Sequence, residues 1–246
     1  MFDAIWLTKS GDTVTAALRR TRPEELPEND TEVSVEWSTI NYKDALAITN
    51  TSPVVRKFPI IPGIDLAGTV VRSSSSTMRP GTKVLMTGFG YGELHCGGFS
   101  QRASVAAEHL IAVPEPLDTR SAMCVGTAGF TAMLAVQRIQ EHGISPSDGD
   151  VLVTGAGGGV GGYAVAFLAR KGYRVVASTG RPEEAERIRR LGAAEVIERR
   201  SLSEPGRPLS KERWAAVVDS VGSHTLVNAC ASTRYGGIVA ACGLAQ

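Results

Sequence analysis

The chain has 246 residues, 26 basic and 25 acidic, for a formal net charge of +1. A balance so even builds no field that would draw a polyanion, which excludes nucleic acid and an anionic membrane surface as expected partners. The four cysteines, Cys96, Cys124, Cys230 and Cys242, are widely separated, which excludes a disulfide framework and a Cys-x-x-Cys metal site; they read as reduced thiols of a cytoplasmic protein. Neither a basic leader before an apolar run nor a stretch of about 18 apolar residues occurs, so neither export nor a membrane span is expected. The length allows two modest domains of about 100 to 150 residues each.

In chain order, the first half reads as β-structure. Ala4–Leu7 is a short apolar strand, and 32–38 alternates Val33, Val35 and Trp37 against polar neighbours, the period of a half-buried strand. Further strands are predicted over Asp65–Arg72, Lys83–Thr87, Ser100–Val105 and Leu110–Ala112, with turn signals at Pro62-Gly63, Pro80-Gly81 and Gly97-Gly98. About six short strands so spaced suggest a barrel or sandwich. The period then changes. Residues 119–141 read as helix with a break at Gly126–Gly129, and 144–150 as a polar connector. After it strands and helices alternate: strand 151–154, helix 160–171, strand 174–178, helix 183–191, strand 195–197, strand 215–219, helix 225–233 and strand 237–242. The strands are continuous apolar runs, as in a parallel sheet covered on both faces, so this half is α/β.

The glycine-rich run from Thr154 to Gly162 follows one of these strands and opens a helix. Glycine is required there where the chain turns sharply, where backbone approaches a pyrophosphate, and where helix packs closely on sheet. The helix N-terminus then offers unpaired amides and the positive end of its dipole to phosphate. Without that context a glycine cluster reads as a flexible loop; with it, Gly157, Gly158, Gly159 and Val160 are the predicted phosphate-binding residues. The next strand ends in Ser178-Thr179-Gly180-Arg181, about 20 residues on, where a site for NAD would carry an acid for the ribose 2′-hydroxyl. Here there is none. Thr179, Gly180 and Arg181 instead suit a 2′-phosphate, which predicts NADPH; the competing reading makes Arg181 a solvated loop residue. Arg199 either stacks on adenine or is an exposed charge.

Several separate motifs, in order, give a resemblance covering the whole chain: Asn41-Tyr42-Lys43-Asp44, Pro62-Gly63-Ile64-Asp65, Gly126-Thr127-Ala128-Gly129-Phe130-Thr131-Ala132, the glycine turn, Asp219-Ser220-Val221-Gly222, and Ala241-Cys242-Gly243-Leu244-Ala245. The sequence resembles the medium-chain dehydrogenase/reductase superfamily in its zinc-free quinone oxidoreductase branch, above all the acryloyl-CoA reductases and YhdH-type proteins. The resemblance implies a GroES-like β-barrel domain over residues 1–120, then a Rossmann NADPH-binding domain over 121–246, with an active cleft between them. It also implies NADPH-dependent hydride transfer to the β-carbon of an α,β-unsaturated thioester such as acryloyl-CoA. Quinone reduction is the alternative, and a catalytically silent NADPH-binding protein the alternative from another class. Zinc-dependent relatives carry a Cys and a Gly-His-Glu where this chain has Asn41–Asp44 and Gly63–Asp65, so no catalytic metal is expected; His95, His109, His142 and His224 share no ligand spacing either.

Hydride addition to an activated alkene leaves an enolate, which calls for donors near the carbonyl oxygen and a proton source. The resemblance points to Tyr42 at the nicotinamide and as a proton carrier, with Asn41 a polar contact beside it and Thr127 against the carboxamide. Packing is the other role open to Tyr42, and N-capping the other role open to Thr127. Val221, Gly243 and Leu244 complete the implied cofactor contacts. Lys43 and Asp44 read as loop residues paired with each other or with neighbours, and Arg56 and Lys57 as solvated charges or contacts for a coenzyme A phosphate. Gly157 departs from the Ser often found in relatives. Family members continue for several dozen residues beyond this chain, so the Rossmann domain is expected to be incomplete, and the edge that would build the family homodimer falls outside it.

Overall fold

The computed structural model of the protein describes residues 1–207 and 210–245. It divides into two compact units, Met1–Thr127 and Ala128–Gln246. The division lies next to Gly126; residue 120, the expected boundary, falls in the first turn of a helix.

In unit 1, β1 (Phe2–Ser10) and β2 (Thr13–Thr21) form an antiparallel hairpin, its turn made possible by Gly11 at φ 58°. β2 is absent from the sequence reading for a physical reason: it is exposed along most of its length, so no apolar alternation marks it. Then follow β3 (Thr31–Trp37), α1 (Tyr42–Thr49), β4 (Asp65–Ser73), β5 (Lys83–Thr87), β6 (Arg102–Val105) and β7 (Ile111–Ala112). Among the described residues β3 to β7 form an antiparallel sheet in the order β6-β3-β4-β5-β7. Bridges from Ala4 to Ser100 and from Leu7 to Ile60 tie β1 to the connecting segments. Val33, Leu66, Val84 and Met86 fill the core of the sheet, and Phe2, Trp6, Ala47, Ile60 and Ile61 a second cluster beneath the hairpin. Residues 41–44, expected as loop, instead begin α1, with Asn41 as its extended N-cap.

α2 (Thr119–Glu141) is broken at Gly126, which holds φ 48° and ψ −161°. It is long and apolar enough to cross a membrane, yet Ala132, Ala135, Val136 and Ile139 of its second half are core residues of unit 2. There β8 (Asp150–Val153), α3 (Gly159–Arg170), β9 (Val175–Thr179), α4 (Ala185–Arg190), β10 (Glu195–Glu198), the single turn α5 (Arg200–Ser203), β11 (Trp214–Asp219), α6 (Ser223–Ala231) and β12 (Thr233–Ala241) follow. The strands form a parallel sheet in the order β10-β9-β8-β11-β12. The period of two explains why they read as unbroken apolar runs. Val151, Val153, Val175 and Ala177 face one core with α2, α3 and α4, while Leu152, Val176 and Val217 face another with Leu202 and Ala229. Between β8 and β11 the strand order reverses, and in such sheets ligands bind outside the carboxyl ends at that switch point.

Candidate functional site

The switch point in unit 2 is built around the turn from β8 to α3. Gly155 sits at φ 61°, and a Cβ there would run into Ser220 Oγ; a Cβ on Gly161 would fall on the Gly155 carbonyl oxygen and stand 2.7 Å from Ala156 Cα. The two glycines therefore do different work, one allowing the turn and the other the close seat of α3 on the strand. Gly158 is the N-cap of α3 and supplies no side-chain oxygen to the first amides. A twelve-residue helix that starts this way leaves its leading N–H groups and dipole for an anion. Gly159 and Val160 begin that helix, so the four predicted phosphate-binding residues share one turn.

Neighbouring strands hold the turn in place. Thr154 Oγ1 donates to Asp219 Oδ1 at 2.6 Å and accepts from Ser220 N at 3.1 Å, and Ser220 Oγ donates to the Thr154 carbonyl at 3.0 Å. Asp219 also takes the Gly222 amide at 2.8 Å, fixing the bend at Val221 and Gly222. Gly243 packs with its Cα against the Ser220 main chain, the Ala245 amide donates to Val221 O at 2.8 Å, and Leu244 is exposed. Val221, Gly243 and Leu244 thus lie together past the ends of β11 and β12. Thr154 and Asp219, both fully buried, were not singled out as site residues from sequence; a polar pair at the last positions of two apolar strands was the available signal.

The end of β9 supplies side chains. Thr179 Oγ1 accepts the Arg181 amide at 3.1 Å, and Arg181 Nη2 donates to the Gly157 carbonyl at 2.8 Å. A Cβ on Gly157 would stand 3.0 Å from that nitrogen and 3.3 Å from Thr179 Oγ1. Arg199 is tied by its amide to Thr179 O at 2.8 Å, and its guanidinium lies over Gly180. Thr179, Gly180, Pro182, Glu198, Arg199 and Arg200 line an open pocket of about 280 Å³. Another pocket, about 390 Å³ and lined in part by Pro23, Glu24 and Arg72, contains none of the predicted residues.

Unit 1 brings Asn41 and Thr127 together on a buried carboxylate that sequence reasoning passed over. Asp65, fully buried at the start of β4, accepts from Asn41 Nδ2 at 2.8 Å, Thr127 N at 3.0 Å and Thr127 Oγ1 at 2.6 Å. The Thr127 hydroxyl is therefore committed to Asp65 and not to capping. With its one hydrogen engaged by Asp65, it presents lone pairs able only to accept. The kink at Gly126 permits this: a Cβ there would stand 2.9 Å from Asp65 Oδ2. Tyr42 is exposed in the first turn of α1. Asp44 does not pair with Lys43. Its carboxylate accepts the Asn41 amide at 2.8 Å and the Ile64 amide at 3.0 Å, while Lys43 reaches Glu93 at 2.9 Å. Burial pushes the Asp44 carboxyl up; the two amides oppose the rise and the nearby Asp65 carboxylate adds to it. The signal that was available is an acid closing an otherwise apolar run, Ile60-Ile61-Pro62-Gly63-Ile64-Asp65. Arg56 and Lys57 are exposed.

Residues 27–115 match the alcohol dehydrogenase GroES-like domain, and residues 159–246 the zinc-binding dehydrogenase family. The second description implies zinc, but among the described residues no group of three or more His, Cys, Asp or Glu side chains could hold a metal ion, so the donor set does not fit one. The chain is 50% identical to the acrylyl-CoA reductase AcuI of Ruegeria pomeroyi, over all of this chain and 75% of that protein. To the putative quinone oxidoreductase YhfP of Bacillus subtilis it is 43% identical, over 99% of this chain and 74% of the relative. The crystal structure of the yhdH oxidoreductase from Salmonella enterica in complex with NADP superposes with a TM-score of 0.96 at 46% identity, covering 99% of this chain and 75% of that one. With these similarities along its full length, an antiparallel GroES-like unit and a parallel Rossmann sheet, the chain belongs to the medium-chain dehydrogenase/reductase superfamily.

Proposed function

We propose that the protein is an NADPH-dependent reductase of activated alkenes, with acrylyl-CoA or a similarly small enoyl thioester as substrate, working in the cytoplasm without zinc. The observation that carries this reading is the end of β9, where no acid stands and Thr179 and Arg181 flank the bare Cα of Gly157. An acid there would repel a 2′-phosphate, whereas a guanidinium fork and a hydroxyl suit it. The relatives named for acrylyl-CoA reduction and for NADP support the same reading.

NADPH, when bound, supplies the hydride. The chain's own residues then have distinct tasks. The amides of Gly157, Gly158, Gly159 and Val160 hold the pyrophosphate, and Thr179, Gly180, Arg181 and Arg199 hold the adenosine end. Val221, Gly243 and Leu244 border the rest of the nucleotide. Thr127, its hydroxyl hydrogen held in a hydrogen bond to Asp65, would offer lone pairs to the amide NH₂ of the nicotinamide ring. Asn41, oriented by the same carboxylate, is a polar contact beside it, and the exposed Tyr42 phenol passes a proton.

Quinone reduction is the second reading, favoured by the similarity to YhfP. Loss of reduced-nicotinamide absorbance, followed with acrylyl-CoA and separately with benzoquinone, decides between them. Faster turnover per mole of enzyme with acrylyl-CoA is the expected result. Preference for benzoquinone would move the protein to the second reading, and tight NADPH binding without turnover of either would make it a binding protein.

A further inference from the structure

Two arginines converge on one main-chain oxygen at the nucleotide turn. The Gly157 carbonyl accepts from Arg181 Nη2 at 2.8 Å and from Arg187 Nη2 at 3.1 Å. They come from different elements: Arg181 precedes the 3-10 turn Pro182–Glu184, and Arg187 lies within α4. A neutral carbonyl does not balance two cations. Glu184 does so in part, its carboxylate 2.5 Å from Arg187 Nε and 3.8 Å from Arg181 Nη1. The hydrogen bond from Arg187 holds the Glu184 carboxyl below its ordinary range, so it is ionised. Two guanidiniums and one carboxylate leave an excess positive charge beside Gly157. Both arginine side chains remain about half exposed, at 56% and 45%. Such an arrangement suits an anion with several acceptor oxygens.

We propose that Arg187 is a second guanidinium for the ribose 2′-phosphate, held in place by Glu184 and the Gly157 carbonyl, so that the pair Arg181 and Arg187 sets the preference for NADPH over NADH. The inference rests on the reading of the β9 end as a 2′-phosphate site. A phosphate monoester carries a charge of about −1.5 to −2 near neutrality and three acceptor oxygens, which one guanidinium cannot satisfy and two can. α4 delivers the second because Glu184 and Arg187 are three residues apart, on one face of the turn and helix. Nothing in the glycine motif specifies that residue; it became visible only through its contact with Gly157.

The test is titration of the purified chain with NADPH and with NADH, for wild type and for the variants Arg187→Ala, Arg187→Lys and Arg181→Ala. For Arg187→Ala the expected result is a loss of about tenfold in NADPH affinity, as for one charged hydrogen-bonding partner, with NADH changed less than about twofold. Arg187→Lys keeps the charge without the fork and should fall between, and it preserves the test if the alanine variant folds poorly. Equal weakening of both dinucleotides would mean that Arg187 only braces the turn, and no change in either would mean that it plays no part; each result overturns the inference. Arg181→Ala separates the two levels. If it weakens NADPH selectively while both Arg187 variants do not, only the role of Arg187 is lost. If it too fails to discriminate, the 2′-phosphate site itself is lost.

Discussion

The two units dispose of their polar groups in opposite ways. In unit 1 the donors around Asp65 are consumed within the protein: Asn41 Nδ2, Thr127 N and Thr127 Oγ1 all end on one fully buried carboxylate. In unit 2 positive charge is left near solvent, since α3 starts on an uncapped glycine and Arg181 and Arg187 stay half exposed while sharing Glu184. A buried, fully satisfied cluster fixes the orientation of its members and resists rearrangement. An uncapped helix start beside two guanidiniums that share one carboxylate is stabilised by an anion. The first arrangement suits positioning of reacting groups, and the second suits capture of a charged cofactor.

The comparison is broken most severely at Gly161. A Val there would place Cβ on the Gly155 carbonyl and against Ala156 Cα, backbone atoms that cannot swing aside. Gly161→Val should cost more than about 4 kcal/mol and abolish NADPH binding, measured by urea unfolding and by titration. A variant within about 1 kcal/mol of wild type would show that α3 is not seated as described. Asp65→Ala comes next. It strands three donors, each worth about 1 to 3 kcal/mol when buried without an acceptor, for a total on the order of 3 kcal/mol because the losses are not independent. If unit 1 positions and unit 2 captures, this variant loses turnover while keeping NADPH affinity within about twofold. Loss of NADPH affinity equal to that of Gly161→Val would erase the distinction.

The same contrast explains what was legible in the sequence. The turn after β8 could be read because its function resides in main chain, and main-chain conformation is encoded locally by Gly155, Gly158 and Gly161. The central strands β8, β9 and β11 of the parallel sheet could be read because burial on both faces makes most of their residues apolar. The cluster in unit 1 could not, because Asp65 meets Asn41 and Thr127 from 24 and 62 residues away, and no local pattern records such a contact. Resemblance to known reductases supplied Asn41, Tyr42 and Thr127 but left out the carboxylate that holds two of them. β2 was missed because its residues face solvent, and α1 because its N-cap and first turn, Asn41 to Asp44, resemble a polar loop. Arg187 was invisible for a similar reason, lying among Arg189 and Arg190 on a basic helix.

A smaller effect is expected at Asp44, and its sign follows from burial. A carboxyl whose folded pKa is raised contributes stability below its unfolded pKa and loses it as pH climbs through the folded value. Asp44→Asn cannot titrate, so wild type should lose ground to this variant as pH rises from about 3.9, the ordinary aspartate value, toward neutrality. Urea midpoints measured across that range should converge or cross. Parallel profiles would show that the amides of Asn41 and Ile64 cancel the effect of burial, and profiles that diverge in favour of wild type would show that they outweigh it.

The smallest effect belongs to Lys43, although it lies beside the buried Asp44. Its ammonium meets Glu93 at 2.9 Å, but with 46% of the lysine side chain exposed, water and salt screen the attraction. Lys43→Ala should therefore cost less than about 1 kcal/mol, and the difference should shrink in concentrated salt, which weakens exposed pairs and leaves buried clusters such as that of Asp65 nearly untouched. A salt-insensitive loss of about 2 kcal/mol or more would place Lys43 inside the positioning cluster and not on its surface. Three neighbouring residues, Asn41, Lys43 and Asp44, would then differ far less in their roles than their hydrogen bonds imply.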